Sequence, residues 1–430
     1  MKVIVVGAGI AGLATATWLA QKGHDVKVLE ASGRIGGRAV TYTHPTNGDR
    51  CDVGTQYYHS SYTRALGLMR DVGLGDAVKT ISGSTRFYDD RVASGSFLVG
   101  HRLPWFSSAG IGGNARLGYF LLSRLLGNPI STFALEDRPK LDEVRALDVV
   151  TDPMLREFAV RVVVNAGTLA EPEVTNVSLL QLIRLLRIIV LTDYLALPDG
   201  VASLHEHLAA RLSVDLEAPV ARVLVDGNTA TGVELEGSGK TLRADHVVIT
   251  APPRAAAPML PAEWETERTF LSGVEFPPAM IVSLFLDRPL EAGVWSYMIQ
   301  SGRQQLISFC TDAAQKNPSM VGSGNSVLQA WICHPRAAAL SDVSDNDVVS
   351  RCTAELDQYL PGIASWVQHA HVMRHAGGTP QHSAGHHGRA LAFLRSADTR
   401  EGISFAGDYF SGGYLEPALW SAERVVSRIG

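Results

Sequence analysis

The stretch Lys2-Val3-Ile4-Val5-Val6-Gly7-Ala8-Gly9-Ile10-Ala11-Gly12 decides the fold. Residues 2–6 form a β-branched run of the kind that makes a strand buried on both faces of a parallel sheet. From Ile10 to Gln21 the apolar positions recur with helical spacing. Between the two elements the glycines divide the work: Gly7 permits a tight turn, Gly9 lets a pyrophosphate approach the backbone, and Gly12 allows the helix to pack closely on the strand. The helix N-terminus would then turn its unpaired N–H groups to the phosphates. In a chain with 41 glycines such spacing is weak by itself, so the context carries it. Gly23-His24-Asp25 reads as a turn, residues 26–29 as a second strand, and Glu30 ends that strand where a carboxylate accepts the ribose hydroxyls of an adenosine.

Beyond Glu30 the chain departs from a nicotinamide site. Ala31-Ser32-Gly33-Arg34-Ile35-Gly36-Gly37-Arg38 is a basic, glycine-rich loop placed to wrap the pyrophosphate a second time, with Arg38 neutralising its charge. No second GxGxxG follows a strand, since Gly110-Ile111-Gly112-Gly113 has no β-run before it. The four cysteines, at 51, 310, 333 and 352, form no CxxC, which removes a disulfide redox pair and a structural zinc site.

The segments GAGIAGL, RIGGR and DVGTQYY, with Glu30 between the first two, resemble the flavin amine oxidase superfamily, which includes monoamine oxidases, protoporphyrinogen oxidases and phytoene-type desaturases. The resemblance implies FAD, bound noncovalently because no cysteine stands near the tail to tether it. It also implies further cofactor contacts: Gly54 and Thr55 ahead of the flavin edge, Val220 holding the adenine through its backbone, and Gly407-Asp408 reaching the ribityl chain. A helix starting near Leu415 would direct its positive end at the flavin. Tyr414 falls where monoamine oxidases place a tyrosine beside the substrate, and Tyr57 and Tyr58 fall at the flavin edge. Departures matter as well. Ile281 occupies the position of the lysine that amine oxidases use near flavin N5, and Pro417 stands where glycine is common. The tail around Pro380-Gln381-His382 is similar to protoporphyrinogen oxidases. Among the six histidines between 369 and 387, His386 is the candidate proton acceptor, a neutral imidazole being suited to proton transfer near pH 7. No Cys, Asp or Glu cluster accompanies them at ligand spacing, so no metal is expected.

The implied architecture is α/β: a Rossmann-like FAD-binding domain of the glutathione-reductase type, with a second α+β substrate domain formed by two inserts. Residues 1–85, 199–256 and 370–430 would make the first domain, and residues 86–198 and 257–369 the second. The first insert reads as mostly helical (117–126, 154–165, 177–191), the second as strands (279–286, 295–300, 305–310, 327–333). Lys+Arg 38 against Asp+Glu 43 gives a net charge of -5, no basic field for nucleic acid. Residues 179–197 are oily but interrupted by Gln181, Arg184, Arg187 and Asp193, which favours an amphipathic helix over a spanning one and leaves loose membrane-surface contact through 179–191 open. A reducing cytoplasm fits the cysteine usage. The functional expectation is two-electron dehydrogenation of a small to medium, partly apolar substrate at a CH–NH or CH–CH unit. Hydride would pass to flavin N5, and O2 would reoxidise the flavin. A redox-neutral isomerase or cyclase is the alternative, and a non-catalytic flavin-binding protein a distant third.

Overall fold

The computed structural model describes residues 1–100, 104–299, 302 and 306–430. Its first sheet is five-stranded and wholly parallel, in the order Ser213–Asp215, Asp25–Leu29, Lys2–Val6, His246–Ile249, Ile403–Phe405. The β-branched run 2–6 lies at its centre because both of its faces can be buried. Val3 and Val5 enter one core with Leu13 and Leu19 of helix Ile10–Gln21 and Leu419 and Val425 of helix Leu415–Ile429. Ile4 and Val6 enter the opposite core with Val247, Ile249, Trp264 and Phe393. The two-residue period of a strand thus sorts one short sequence between two layers.

A second sheet has seven strands in the order Val367–His375, Ala279–Leu286, Val327–Ile332, Phe309–Asp312, Val294–Ile299, Ser84–Tyr88, Ser96–Gly100. Strand Ala279–Leu286 is buried throughout and pairs on both sides. Two expected boundaries move. Ser84–Tyr88 and Val367–His375 belong to this sheet, so the limits drawn at 85 and 370 cut through strands. The first insert is therefore less helical than its pattern suggests, since it adds strands at one edge. The run expected at 305–310 begins outside the described residues, and its described part joins strand Phe309–Asp312.

Helices Gly110–Leu126, Val162–Thr168 and Leu179–Leu191 stack against the sheet through an apolar core that includes Phe87, Phe106, Phe158 and Leu186. The last of these helices is not the surface element expected of it. Nine of its thirteen residues are buried, Gln181 and Arg184 among them. Arg184 is fully enclosed and donates to the carbonyl oxygens of Ser131 (3.2 Å), Ala134 (2.6 Å) and Ser411 (3.0 Å). A guanidinium spends its donors there on backbone acceptors, so the polar interruptions in 179–191 tie segments together and do not face water. Among the described residues no helix is long and apolar enough to cross a membrane.

The C-terminal helix is keyed to the first domain by Glu416, which is completely buried. Its carboxylate accepts from the backbone N–H of Arg64 (2.8 Å) and Ala65 (3.1 Å), the first turn of helix Thr63–Asp71, and pairs with Arg64 at 3.4 Å. Burial pushes its pKa up, opposed by those backbone donors. Glu416→Gln turns an amide NH2 toward an N–H donor and is expected to lower unfolding free energy by about 2 kcal/mol. A urea denaturation midpoint that does not move would remove this capping role.

Candidate FAD and substrate site

The glycine turn has the geometry its sequence requires. Gly7 has φ +109° and donates to the carbonyl of Leu29 at 2.8 Å, locking strand ends together. A methyl group on Gly7 would meet Thr250 Oγ1 at 2.8 Å, and one on Gly12 would lie 1.9 Å from the Gly7 carbonyl oxygen. A methyl on Gly9 would meet no protein atom within 4 Å. The middle glycine thus borders open space while its neighbours are packed on protein. Helix Ile10–Gln21, which starts there, carries no side-chain cap. Free N–H groups at a helix N-terminus beside an open glycine suit a pyrophosphate.

The other expected cofactor residues converge on this turn. Glu30 accepts from Ala8 N at 2.8 Å and from Ser32 N at 2.9 Å, which orients its carboxylate at the strand end. Ala218 N donates to the Glu30 carbonyl at 2.8 Å, bringing the segment that leads to Val220 alongside. The loop 31–38 folds back, with Gly36 N donating to Ala8 O at 2.9 Å and a methyl on Gly37 falling 3.5 Å from Gly9 Cα. Arg38 and Asp408, 370 residues apart, form an ion pair at 2.8 Å, and Arg38 also donates to Gly378 O at 3.1 Å. Thr55 N donates to Arg38 O at 3.0 Å, and Gly54 sits so close to that carbonyl that a methyl would stand 1.9 Å from it. Gly407 N donates to Ser421 Oγ at 2.8 Å on helix Leu415–Ile429, which begins at the expected residue. One cluster thus gathers Arg38, Gly54, Thr55, Gly407 and Asp408.

Beyond Gly54 and Thr55 the chain passes Gln56 to Tyr57, which lines a cavity with about 990 Å³ of space between atoms, its open mouth included. No charged side chain lines it among the described residues. Tyr57, Tyr194 and Trp295 form an aromatic corner, with ring centroids 4.7, 5.3 and 6.1 Å apart. A second corner holds Phe87, Phe106 and Phe158, where the last two stack at 4.3 Å. Between them helix residues Ala159, Val163 and Ala166 provide an aliphatic wall. Tyr58, next to Tyr57, points elsewhere: it is buried and its hydroxyl donates to Val201 O at 3.2 Å.

Tyr414 precedes the C-terminal helix, and its hydroxyl accepts from Gln181 Nε2 at 3.4 Å. It reaches up to Gly167, where a methyl would lie 2.9 Å from its oxygen, directly beside the cavity residue Ala166. Burial pushes the phenol pKa up, with the Gln181 hydrogen bond lowering it and Tyr57 raising it further. Tyr414 is therefore a neutral phenol behind the cavity wall.

His386 is not at the cavity, which corrects the expectation of a proton acceptor there. It opens helix His386–Ala397 inside the core, and its Nε2 donates to the Tyr409 carbonyl at 2.7 Å. His382 packs edge-on against it with centroids 4.5 Å apart. Burial drives the His386 pKa down to about 4, as it does for His205. A histidine held neutral in the fold but free to ionise when unfolded destabilises the native state in acid. Each of the two therefore gives its full contribution above pH 6.5 and loses about 1.4 kcal/mol per pH unit as pH falls toward 4. Asp312, raised to about 6 by burial, works in the opposite sense below pH 6 and offsets part of the loss. Unfolding free energy is expected to fall between pH 6.5 and pH 5, and His386→Gln, which keeps a donor for Tyr409, should flatten that slope. A slope unchanged in the variant would rule out the histidine as its source.

Three residues escaped the sequence reading. Tyr194 and Trp295 complete the aromatic corner, and Lys316 is a buried amine whose Nζ donates to Gln56 Oε1, the residue between Thr55 and Tyr57. Burial lowers the Lys316 pKa and nearby Asp52 opposes this. Ile281, on strand Ala279–Leu286, packs with Phe309, Trp331 and Cys333.

The family model for flavin containing amine oxidoreductases matches residues 10–430. The chain belongs to that family. FAD, held without a covalent link, is its cofactor, and the fold is the FAD-binding α/β domain joined to a substrate domain. An L-amino-acid oxidase of Mus musculus is 44% identical over 73 residues, which is 17% of this chain and 12% of that protein. The matched stretch thus spans about an eighth of that relative's length. Among solved structures, cyclohexylamine oxidase from Brevibacterium oxydans superposes with TM-score 0.77 at 20% identity, covering 100% of this chain and 98% of the other. A CLA-producing fatty acid isomerase from P. acnes gives 0.76 at 15% identity, covering 99% and 98%. At these identities the two structures speak for the fold alone.

Proposed function

We propose that this family member dehydrogenates a small to medium, largely apolar substrate at a CH–NH or CH–CH unit. The observation that carries this reading is the aromatic-walled cavity that Tyr57 lines two residues after Thr55, with no charged side chain in its wall among the described residues. An ionised ammonium or carboxylate would lose its hydration there with no counter-charge from the described residues, at a cost of several kcal/mol, so an amine would enter neutral and an amino acid zwitterion would be rejected. Tyr57, Tyr194 and Trp295 offer ring faces for stacking and fix the substrate's orientation. Tyr414 supports the wall behind Ala166 and Gly167. Gly7, Gly9, Gly12 and the uncapped helix would hold the pyrophosphate of the cofactor, Glu30 and Val220 its adenosine, Arg38 and Asp408 its middle portion. The positive end of helix Leu415–Ile429 would favour negative charge on the adjacent ring. When bound, FAD would supply the two-electron acceptor for this dehydrogenation, with O2 as the proposed final acceptor.

The test is anaerobic titration of the purified yellow protein with neutral apolar amines and with unsaturated lipids, followed at the flavin's visible absorbance. Bleaching by one class, with a product two hydrogens lighter and one hydrogen peroxide per turnover in air, is the expected result. A product of unchanged mass would replace this reading with isomerisation. Bleaching only by amino acids would contradict the uncharged cavity as the substrate site.

A further inference from the structure

Beside the cavity lies a smaller chamber with about 270 Å³ of space between atoms, its mouth included. The two share Phe87, Val162, Met298 and Phe309, while Tyr57, Tyr194 and Trp295 line only the cavity. One helical run supplies a wall to each. Its π-helical turn Arg156–Arg161 leads into helix Val162–Thr168. Phe158, Ala159, Val163 and Ala166 face the cavity, whereas Glu157, Arg161 and Asn165, spaced at every fourth residue, form a polar row along the chamber. Turns of the π type are rare and recur at functional sites. Ser308, just before strand Phe309–Asp312, completes the polar lining.

The positive charge in this chamber is already spent. Arg161 pairs with Glu171 at 2.5 Å, Glu173 at 3.0 Å and Glu157 at 3.7 Å, and Arg336 pairs with Glu171 at 3.0 Å. Two guanidiniums thus meet three carboxylates, so an incoming anion would face a surplus of negative charge. The Ser308 hydroxyl is engaged as well, donating to Glu171 at 3.2 Å and accepting from Cys333 N at 3.2 Å. What remains is an acceptor. Asn165 is 4% exposed, and its Nδ2 donates to the two oxygens of Glu171 at 3.5 and 3.4 Å. A carboxylate only accepts, which fixes the orientation of the amide and leaves Asn165 Oδ1 buried with no hydrogen-bond partner among the described residues. A buried acceptor left unpaired is costly, and a donor brought to it removes that cost. We infer that this chamber is a subsite for one end of the substrate, taking a terminal hydrogen-bond donor, a hydroxyl or an N–H group, on Asn165 Oδ1 and turning away a carboxylate. On the reading of the cavity as the substrate site, on which this assignment rests, the apolar body of the molecule would lie between the aromatic corners with its polar tip in the chamber.

Anaerobic calorimetric titration of the flavin-loaded protein tests it, using 1-octanol, its isomer 1-methoxyheptane, which accepts a hydrogen bond but donates none, and octanoate. The alcohol is expected to bind at least about tenfold more tightly than the ether, and octanoate more weakly than either. Asn165→Leu should bring the alcohol and the ether within about twofold of each other at unchanged flavin content, and Ala166→Phe should weaken both. A parent that binds alcohol and ether equally, a parent that binds octanoate best, or an Asn165→Leu protein that weakens both alike and keeps the preference for the alcohol overturns the subsite while leaving the cavity in place. Neither alcohol nor ether bound, or binding untouched by Ala166→Phe, overturns the cavity as the substrate site and the subsite with it. The three titrations of the parent need no substitution, so they decide the matter should Asn165→Leu fail to fold.

Discussion

Gly12→Val is expected to purify colourless and destabilised, whereas Gly9→Ala is expected to fold normally and to hold FAD roughly tenfold to a hundredfold more weakly. The two glycines are three residues apart, yet the fold uses them differently. At Gly12 a methyl already lies 1.9 Å from the carbonyl oxygen of Gly7, and the hydroxyl of Thr250 is 2.7 Å away. A valine must push the helix off the strand, breaking the close approach that seals one core of the parallel sheet, at a cost of about 3 kcal/mol or more. At Gly9 the backbone has φ −77° and ψ 179°, which alanine adopts without strain, and no protein atom waits within 4 Å. The added methyl would stand only in the path of the pyrophosphate. Thermal midpoints of the apoproteins separate the cases: Gly9→Ala should match the parent and Gly12→Val should fall well below it. Fluorescence titration with FAD then gives the affinities. A Gly9→Ala protein that binds FAD as tightly as the parent would mean that the pyrophosphate does not cross this turn.

The same contrast explains what could be read from the sequence. The cofactor half was legible because its chemistry is local. Gly7 is required by its backbone angle and Gly12 by close packing within six residues, Gly9 between them borders open space, and Glu30 directly follows strand Asp25–Leu29. Arg38 and Asp408 could be assigned independently, each within its own motif, and the fold then joined them at 2.8 Å. The substrate half is assembled from distant elements that carry no local mark. Tyr194 lies on the short strand Tyr194–Ala196 and Trp295 on Val294–Ile299, and in sequence each reads as an ordinary core aromatic. Only their meeting with Tyr57 makes a corner. Strand Val367–His375 was cut by a boundary because Val-Gln-His-Ala-His-Val-Met-Arg-His has no β-branched run. Its conformation is imposed by pairing with the fully buried strand Ala279–Leu286. Tertiary context overrode local preference there. His386 misled for a related reason. An imidazole's value as a base depends on what surrounds it, and here a core surrounds it.

Filling the cavity should separate substrate turnover from cofactor binding more sharply than any change at the flavin motifs. Ala166→Phe is expected to lower kcat/KM at least about a hundredfold, equivalent to roughly 2.7 kcal/mol, with flavin content and dithionite reduction unchanged. Ala166 lies on helix Val162–Thr168 between the two aromatic corners, so a ring added there occupies the space where a substrate would lie. Ala166 makes none of the contacts that build the glycine turn, which is why FAD should stay. Ala166→Asp extends the argument to the kind of bond attacked. A carboxylate introduced into this uncharged enclosure has its pKa raised by desolvation, and a cationic amine at its side restores ionisation. For an amine substrate, KM should then rise only modestly and the lower limb of the pH profile should shift. For a hydrocarbon substrate the same residue only adds buried polarity, and kcat/KM should collapse across all pH values. Full activity in Ala166→Phe would locate turnover outside this cavity, because no apolar substrate could share the space with the new ring.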